Sequence, residues 1–484
     1  MICFAACDPE RSVFVRKILA CLLLMLCAFS AASAEEAVSL PKFKNATVHD
    51  PSVILADDGY FYIYGSHMAA ARSQDLMSWE TISRNAETGC KLFEDVQTEL
   101  REALSWAKTT TFWASDVQQL ADDRYYLYYC ACEGSSPLSA LGLAVSERPE
   151  GPYKDLGIFL KSGMPGYDAT QLPNVIDPHT FYDKEGKLWM VYGSYSGGIF
   201  ILEMDENTGF PLEGQGYGKK LLGKNHARIE GPYILYSEET DYYYLFLSFG
   251  GLNSGDGYNI RVCRSRNPDG PYVDALGQDM TQCGGSDGSY FNDPDYAPYG
   301  VKLMGSHQWE PYEMDNSKKA TGYKSPGHNS AWYDPETGRY FLIFHTRFVS
   351  QGERYSVRVH EFFMNEAGWP VVSPLRYAGG ENAPVARENQ AGVYKVILHE
   401  RDINLDVHTS KIVTLHPDGG ITGDLTGSWA SEDGTKLTVT LEGVAYDGVI
   451  LTGYDESQKV FTTAFTALDE TGAALWGVRA ANQP

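Results

Sequence analysis

Three carboxylates stand in one local setting at widely separated places in the chain. Asp50 lies in V-H-D-P-S-V, Asp177 in N-V-I-D-P-H-T and Glu230 in R-I-E-G-P-Y. Each is followed by Pro or Gly-Pro and then by a run of aromatic and branched residues that reads as a strand. A fourth segment, S-P-G-H-N-S, puts His328 at the equivalent point before another such run. Carboxylates brought into one pocket can divide the work of a general acid and a general base. Taken singly, each acid is an ordinary turn residue bonding nearby amides, and His328 is an ordinary loop histidine. Only an architecture that converges the four positions makes them a site.

The elements around them suggest that architecture. Between residues 45 and 375 a short apolar strand, a D/G/N-rich turn and a strand loaded with Tyr, Phe and Trp recur five times. Examples are Val53–Leu55 with Tyr60–Tyr64, Thr180–Tyr182 with Leu188–Tyr192, and Ser330–Tyr333 with Arg339–His345. Helical periodicity intrudes only around Leu92–Trp106. Radial repetition of four-stranded sheets explains this pattern, so the spacing predicts an all-β fold with a five-bladed propeller over residues 41–380. The first strand of each blade lines the central channel, which would gather Asp50, Asp177, Glu230 and His328 in one funnel. From residue 385 to 482 the pattern changes to short strands with tight turns, such as Val393–Leu398, Leu437–Leu441 and Val460–Ala467. This segment predicts a second, small β-barrel or sandwich, with Trp429 and Trp476 filling its core.

Composition narrows the chemistry. The 484 residues carry a formal net charge of −24, which argues against nucleic acid and anionic membrane as partners. Arg16-Lys17, the apolar run Ile18–Phe29 and Ala32-Ser33-Ala34 read as a cleavable signal peptide over residues 1–34, implying a secreted or periplasmic protein; no other run is long enough to span a membrane. The cysteines after it, Cys90, Cys130, Cys132, Cys263 and Cys283, form no disulfide framework. Three acids in a funnel lined by Phe112, Trp113, Tyr195 and Tyr233 point to glycoside hydrolysis, in which one carboxylate activates water and another protonates the leaving oxygen.

The segments V-H-D-P-S-V, F-W-A-S-D, N-V-I-D-P-H-T-F, Y-G-S-Y-S-G-G-I, I-E-G-P-Y and P-G-H-N-S together resemble glycoside hydrolase family 43, most closely its secreted members that cleave arabinan internally. The resemblance implies an inverting reaction with Asp50 as general base, Glu230 as general acid and Asp177 as the group that orients the acid and keeps it protonated. It also implies that His328 helps to hold one largely hydrated calcium ion on the axis. The same motifs make Trp113, Asp116, Asn174, Ser194 and Tyr195 substrate-binding candidates. Plant cell-wall arabinan or arabino-oligosaccharides would be the substrate of a monomeric enzyme. Ser115 departs from the usual F-W-A-P-D, and the polar segment Trp309–Lys324 is placed to wall off the cleft, leaving endo or exo attack open. An α-L-arabinofuranosidase, a β-xylosidase or a sugar-binding propeller without activity are the alternatives. Gly284-Gly285-Ser286-Asp287-Gly288 matches G-x-S-x-G, but its flanks read as loop rather than as a strand-to-helix elbow.

Overall fold

Each of the five repeats folds back on itself, because its turns join strands too short and too apolar to stand alone. In the computed structural model, which describes residues 40–134 and 136–481, this gives five antiparallel four-stranded sheets, each built from one continuous stretch of chain. Their innermost strands are Ser52–Leu55, Asp116–Gln119, His179–Tyr182, Ile229–Ser237 and Tyr323–Asp334. Each of these packs beside the next, and the fifth packs against the first, so the ring closes. The N-terminal side of blade 1 fastens the closure: the carbonyl of Ala46 accepts from Val357 N–H (3.0 Å) and from Ser356 Oγ (3.1 Å) of blade 5. The middle strands Phe61–Tyr64 and Tyr125–Cys132 are buried along their whole length, since neighbouring blades cover both faces. That is why these strands read as continuous aromatic and apolar runs instead of alternating.

The helical periodicity resolves into two short helices, Val96–Glu99 and Arg101–Ala107, whose apolar side packs on the first two blades. The five cysteines among the described residues are free, with Cys130 and Cys132 side by side in one strand of blade 2. The signal-peptide segment lies outside the described residues.

Beyond Arg376 the chain forms a closed eight-stranded barrel, from Gly392–Leu398 to Ala474–Arg479. Here alternation returns: Lys436–Leu441 points every second residue inward. Val396, Val413, Leu415, Val439, Phe465 and Leu475 fill the interior, as side chains do in small barrels. The two tryptophans part company: Trp429 packs against this core, whereas Trp476 does not. Trp476 is fully buried, but it lies with Ile397 on the outside of the barrel, against Leu303, Val371 and Val372 of the propeller. Trp429 is half-buried, its indole N–H donating to the carbonyl of His416 (2.9 Å). Two ion pairs cross the same seam, each at 2.8 Å: Lys395–Asp315, buried on both sides, and Lys302–Asp402, of which only the lysine is buried.

The segment Trp309–Lys324 goes to the barrel and not to the cleft. Asn316 and Ser317 donate to Gln458, Glu310 N–H donates to Ser410 Oγ, and Asp315 supplies the carboxylate for Lys395. Its polar residues were a signal of a domain seam.

Candidate active site

The propeller brings Asp50, Asp177, Glu230 and His328 to one end of the central channel. Asp50, Asp177 and His328 all adopt left-handed backbone conformations, with φ of 58°, 56° and 44°. Asp and His tolerate this region better than branched residues do, and strain of this kind is kept where a side chain must be aimed. Glu230 is aimed differently: the residue after it, Gly231, takes φ +57°, and a bulge interrupts the pairing of its strand there. A Cβ on Gly231 would come within 3.0 Å of the His328 ring, so I-E-G-P-Y needs its glycine for the close approach.

Asp50 is 8 % exposed and surrounded by donors. Ser66 Oγ donates to its Oδ2 (2.5 Å), while His49 and His328 approach its Oδ1 through Nδ1 at 2.8 and 3.1 Å. Its backbone N–H donates to His345 Nδ1 (3.2 Å), and the His49 and His345 rings stack at 3.8 Å. Burial alone would push this carboxyl up. The adjacent His328 and His49 overcome it and hold Asp50 well below the usual carboxylate range. Asp50 is therefore a carboxylate at any ordinary pH.

Glu230 faces the opposite balance. Tyr258 OH donates to Oε1 (2.7 Å) and Ser194 Oγ to Oε2 (2.8 Å). Burial still raises its pKa against these bonds and against His328, with the Asp50 charge adding to the rise. Asp177, 4 % exposed, accepts the Gly231 N–H (3.3 Å), and it is raised by burial and by the charges of Glu230 and Asp50. Two buried carboxyls that repel each other titrate as a pair and keep a proton that neither would keep alone. The site thus holds one ionised acid and one proton-bearing pair, the separation that acid–base catalysis requires.

His328 is held by Ser248 Oγ, which accepts its backbone N–H (2.7 Å). Burial lowers its pKa, but Asp50 and Asp177 raise it to about 9. The ring therefore carries a proton in the absence of a cation; in its neutral form, with Nδ1–H donating to the carboxylate, Nε2 would be the nitrogen left for one. His345 Nε2 and both side-chain amide atoms of Asn329 are buried without partners, so polar groups near this end of the blade 5 strand have capacity to spare. These residues fit a hydrated hard cation.

The remaining candidates separate. Ser194 and Tyr195 are at the site: Tyr195 is half-buried, has φ 47°, and its phenol is pushed up by burial and by Glu230. Trp113 is half-buried at the edge of the core between blades 2 and 3. Asp116 is withdrawn from any ligand. At 2 % exposure it accepts from Ser52 Oγ (2.5 Å) and from Thr180 N–H and Oγ1 (2.7 and 2.5 Å), tying three blades together. Asn174 is 9 % exposed, and its amide oxygen accepts from Ser139 Oγ (2.6 Å). Phe112 is buried in the core, and Tyr233 stacks on His179 at 3.5 Å inside the wall, so neither offers a ring to a sugar. The G-x-S-x-G segment is loop, with Ser286 exposed and no strand-to-helix elbow formed around it.

His49, Ser66, Tyr258 and His345 join the site without having been legible as members. His49 adjoins Asp50, and His345 is opposite Gly327 in register, both usable hints. Tyr258 stands in a glycine-rich loop stretch with no motif, and only the fold takes it to Glu230.

The chain resembles known proteins over most of its length. Residues 43–295 match the model of glycosyl hydrolases family 43, and residues 374–477 match a C-terminal lipocalin-like domain found with that family. The chain belongs to glycoside hydrolase family 43. Within the family it is 53 % identical to the extracellular endo-α-(1→5)-L-arabinanase 2 of Bacillus subtilis, over 90 % of this chain and 94 % of that one. The crystal structure of the endo-1,5-α-L-arabinanase of Thermotoga petrophila superposes with a TM-score of 0.86 at 47 % identity, covering 91 % of this chain and all of that one, 100 %. A family 43 protein from Bacillus licheniformis gives 0.88 at 53 % identity, over 91 % and 99 %. The family 43 match stops at residue 295, whereas the propeller runs on through blade 5 to Arg376 and includes His328.

Proposed function

We propose that this protein is an extracellular, inverting endo-arabinanase that hydrolyses α-1,5-L-arabinofuranosidic bonds within arabinan. The observation that carries the reading is the unequal treatment of the acids: Asp50 is kept ionised by two histidines, while Glu230 and Asp177 share a raised proton. In this reading Asp50 takes a proton from water as the water attacks the anomeric carbon. Glu230 gives its proton to the departing oxygen, and the charge of Asp177, whose carboxylate the Gly231 N–H stabilises, keeps that proton on Glu230. Tyr258 and Ser194 fix the direction of the Glu230 carboxyl. His328 would help to hold a hydrated calcium ion, whose positive charge would offset the clustered carboxylates. Export through a cleaved signal peptide and action as a monomer complete the proposal; no helix among the described residues is long and apolar enough to cross a membrane.

Digestion of linear 1,5-α-L-arabinan with product sizing tests it. A spread of short oligomers at early times is expected. A single small product from the start would replace endo by exo attack, and release from xylo-oligosaccharides alone would overturn the arabinan reading.

A further inference from the structure

Blade 4 joins its third strand, Asn259–Ser265, to its fourth, Val301–Met304, through an excursion far longer than a hairpin needs. The stretch 284–295 of that excursion is fastened at several points. Asn225 Nδ2 donates to the carbonyl of Gly285 (2.9 Å), and Ser286 N–H donates to Asp295 (2.8 Å). Arg228 holds Asp293 through a two-pronged ion pair, with both side chains largely buried. Arg228 is two residues before Glu230, so the loop is tied to the strand that carries the proposed acid.

What this fastened loop displays is a bare aromatic pair. Tyr290 is 65 % exposed and Phe291 40 %. Their rings stack on one another at 4.1 Å, and Phe291 is held at φ +55°, a conformation costly for a large residue. Phe291 then meets the ring of Tyr195 edge-on at 5.3 Å, and Tyr290 leans on His226 at 4.9 Å. The rings form a strip that starts at Tyr195, beside Glu230 and Ser194, and leads outward to solvent. Isolated exposed apolar residues are unremarkable, but a strained, anchored, contiguous aromatic strip opening from a cleft marks a binding surface. The C–H face of a furanose ring is the chemical match for the exposed face of such rings.

We propose that Tyr290 and Phe291 form a stacking platform for an arabinofuranose ring of the polymer, remote from the bond being cleaved, and so set the preference for long chains over short ones. The proposal rests on the arabinanase reading of the site. Tyr290 and Phe291 are specificity-determining residues and take no part in proton transfer.

The test compares wild type with Tyr290→Ala, with Phe291→Asn, whose new side chain suits the left-handed backbone, and with Tyr290→Trp as the conservative variant. Two readouts are used: kcat and KM on linear arabinan and on the shortest arabino-oligosaccharide that wild type cleaves, and retardation in native gels containing arabinan. The first two variants should lose about five- to tenfold in kcat/KM on the polymer, through KM, with the short substrate little changed. They should also lose retardation, and Tyr290→Trp should keep both. Equal losses on the two substrates, or none, would overturn the platform. So would a shift of the variants to a smaller species in gel filtration, which would assign the patch to self-association. Should wild type cleave no arabinan, the function proposed above fails, yet the gel still decides the platform: retardation lost in the variants supports it, and absence of retardation in wild type overturns it.

Discussion

Asp50 and Glu230 are both buried carboxylic acids, and their neighbours alone drive them apart. Replacing Glu230 by Gln should lower kcat on arabinan by about 10²–10⁴-fold, the usual worth of a positioned proton donor. Activated aryl arabinosides, whose leaving groups need no proton, should suffer far less; equal loss on both would remove Glu230 from the acid's role. The pH–rate profile carries a second signature. Asp50, held low, stays ionised as pH falls through the ordinary carboxylate range, so the acidic limb should lie unusually low. The coupled Asp177–Glu230 pair, held high, retains its proton as pH rises, so the alkaline limb should lie above the ordinary glutamate range. Asp177→Asn removes one repelling partner, and the alkaline limb should then move to lower pH. An unmoved limb in that variant would show that burial of Glu230 suffices and that Asp177 only orients.

Strand entries and loops decide where those side chains point. Gly327, in S-P-G-H-N, packs against the face of Tyr258: an added Cβ would fall 1.9 Å from that ring. Gly327→Ala must therefore displace Tyr258, the donor to Glu230. We expect a destabilisation of about 1–3 kcal/mol, typical of overpacking, read as a lower Tm, together with a fall in kcat larger than the stability loss explains. The same strand end offers His328 and the unpartnered Asn329 and His345 atoms. Chelation should consequently lower both activity and Tm, and calcium should restore both; a protein unchanged in melting after metal removal would count against an axial ion.

The barrel and propeller behave as one body because their seam is both apolar and ionic. Lys395 is 3 % exposed and Asp315 4 %, so removing one partner strands a buried charge. Lys395→Met should cost about 3–5 kcal/mol, and Lys395→Met with Asp315→Leu should recover most of it; thermal unfolding of the two variants checks this. Activity at moderate temperature should persist in both, since the seam lies away from the carboxylates.

The blade repeats were legible because strands covered on both faces must be apolar and aromatic, and because turns must carry Gly, Asp and Asn. Hence the five hairpins, and with them Asp50, Asp177, Glu230 and His328 at equivalent strand entries, are visible in the residue pattern itself. Closure of the eight barrel strands left a subtler trace, since alternation alone fits a sandwich as well as a barrel. Residue type could not reveal that Asp116 braces three blades, that Tyr233 faces His179, or that Trp309–Lys324 serves the barrel. Each of those outcomes turns on which neighbour a side chain meets across hundreds of residues, and local sequence does not encode that choice. The same holds for the split between Asp50 and the Asp177–Glu230 pair. The sequence by itself determined which acids would converge; the tertiary structure decided their protonation, because only packing puts two histidines on one carboxylate and buries the other two together.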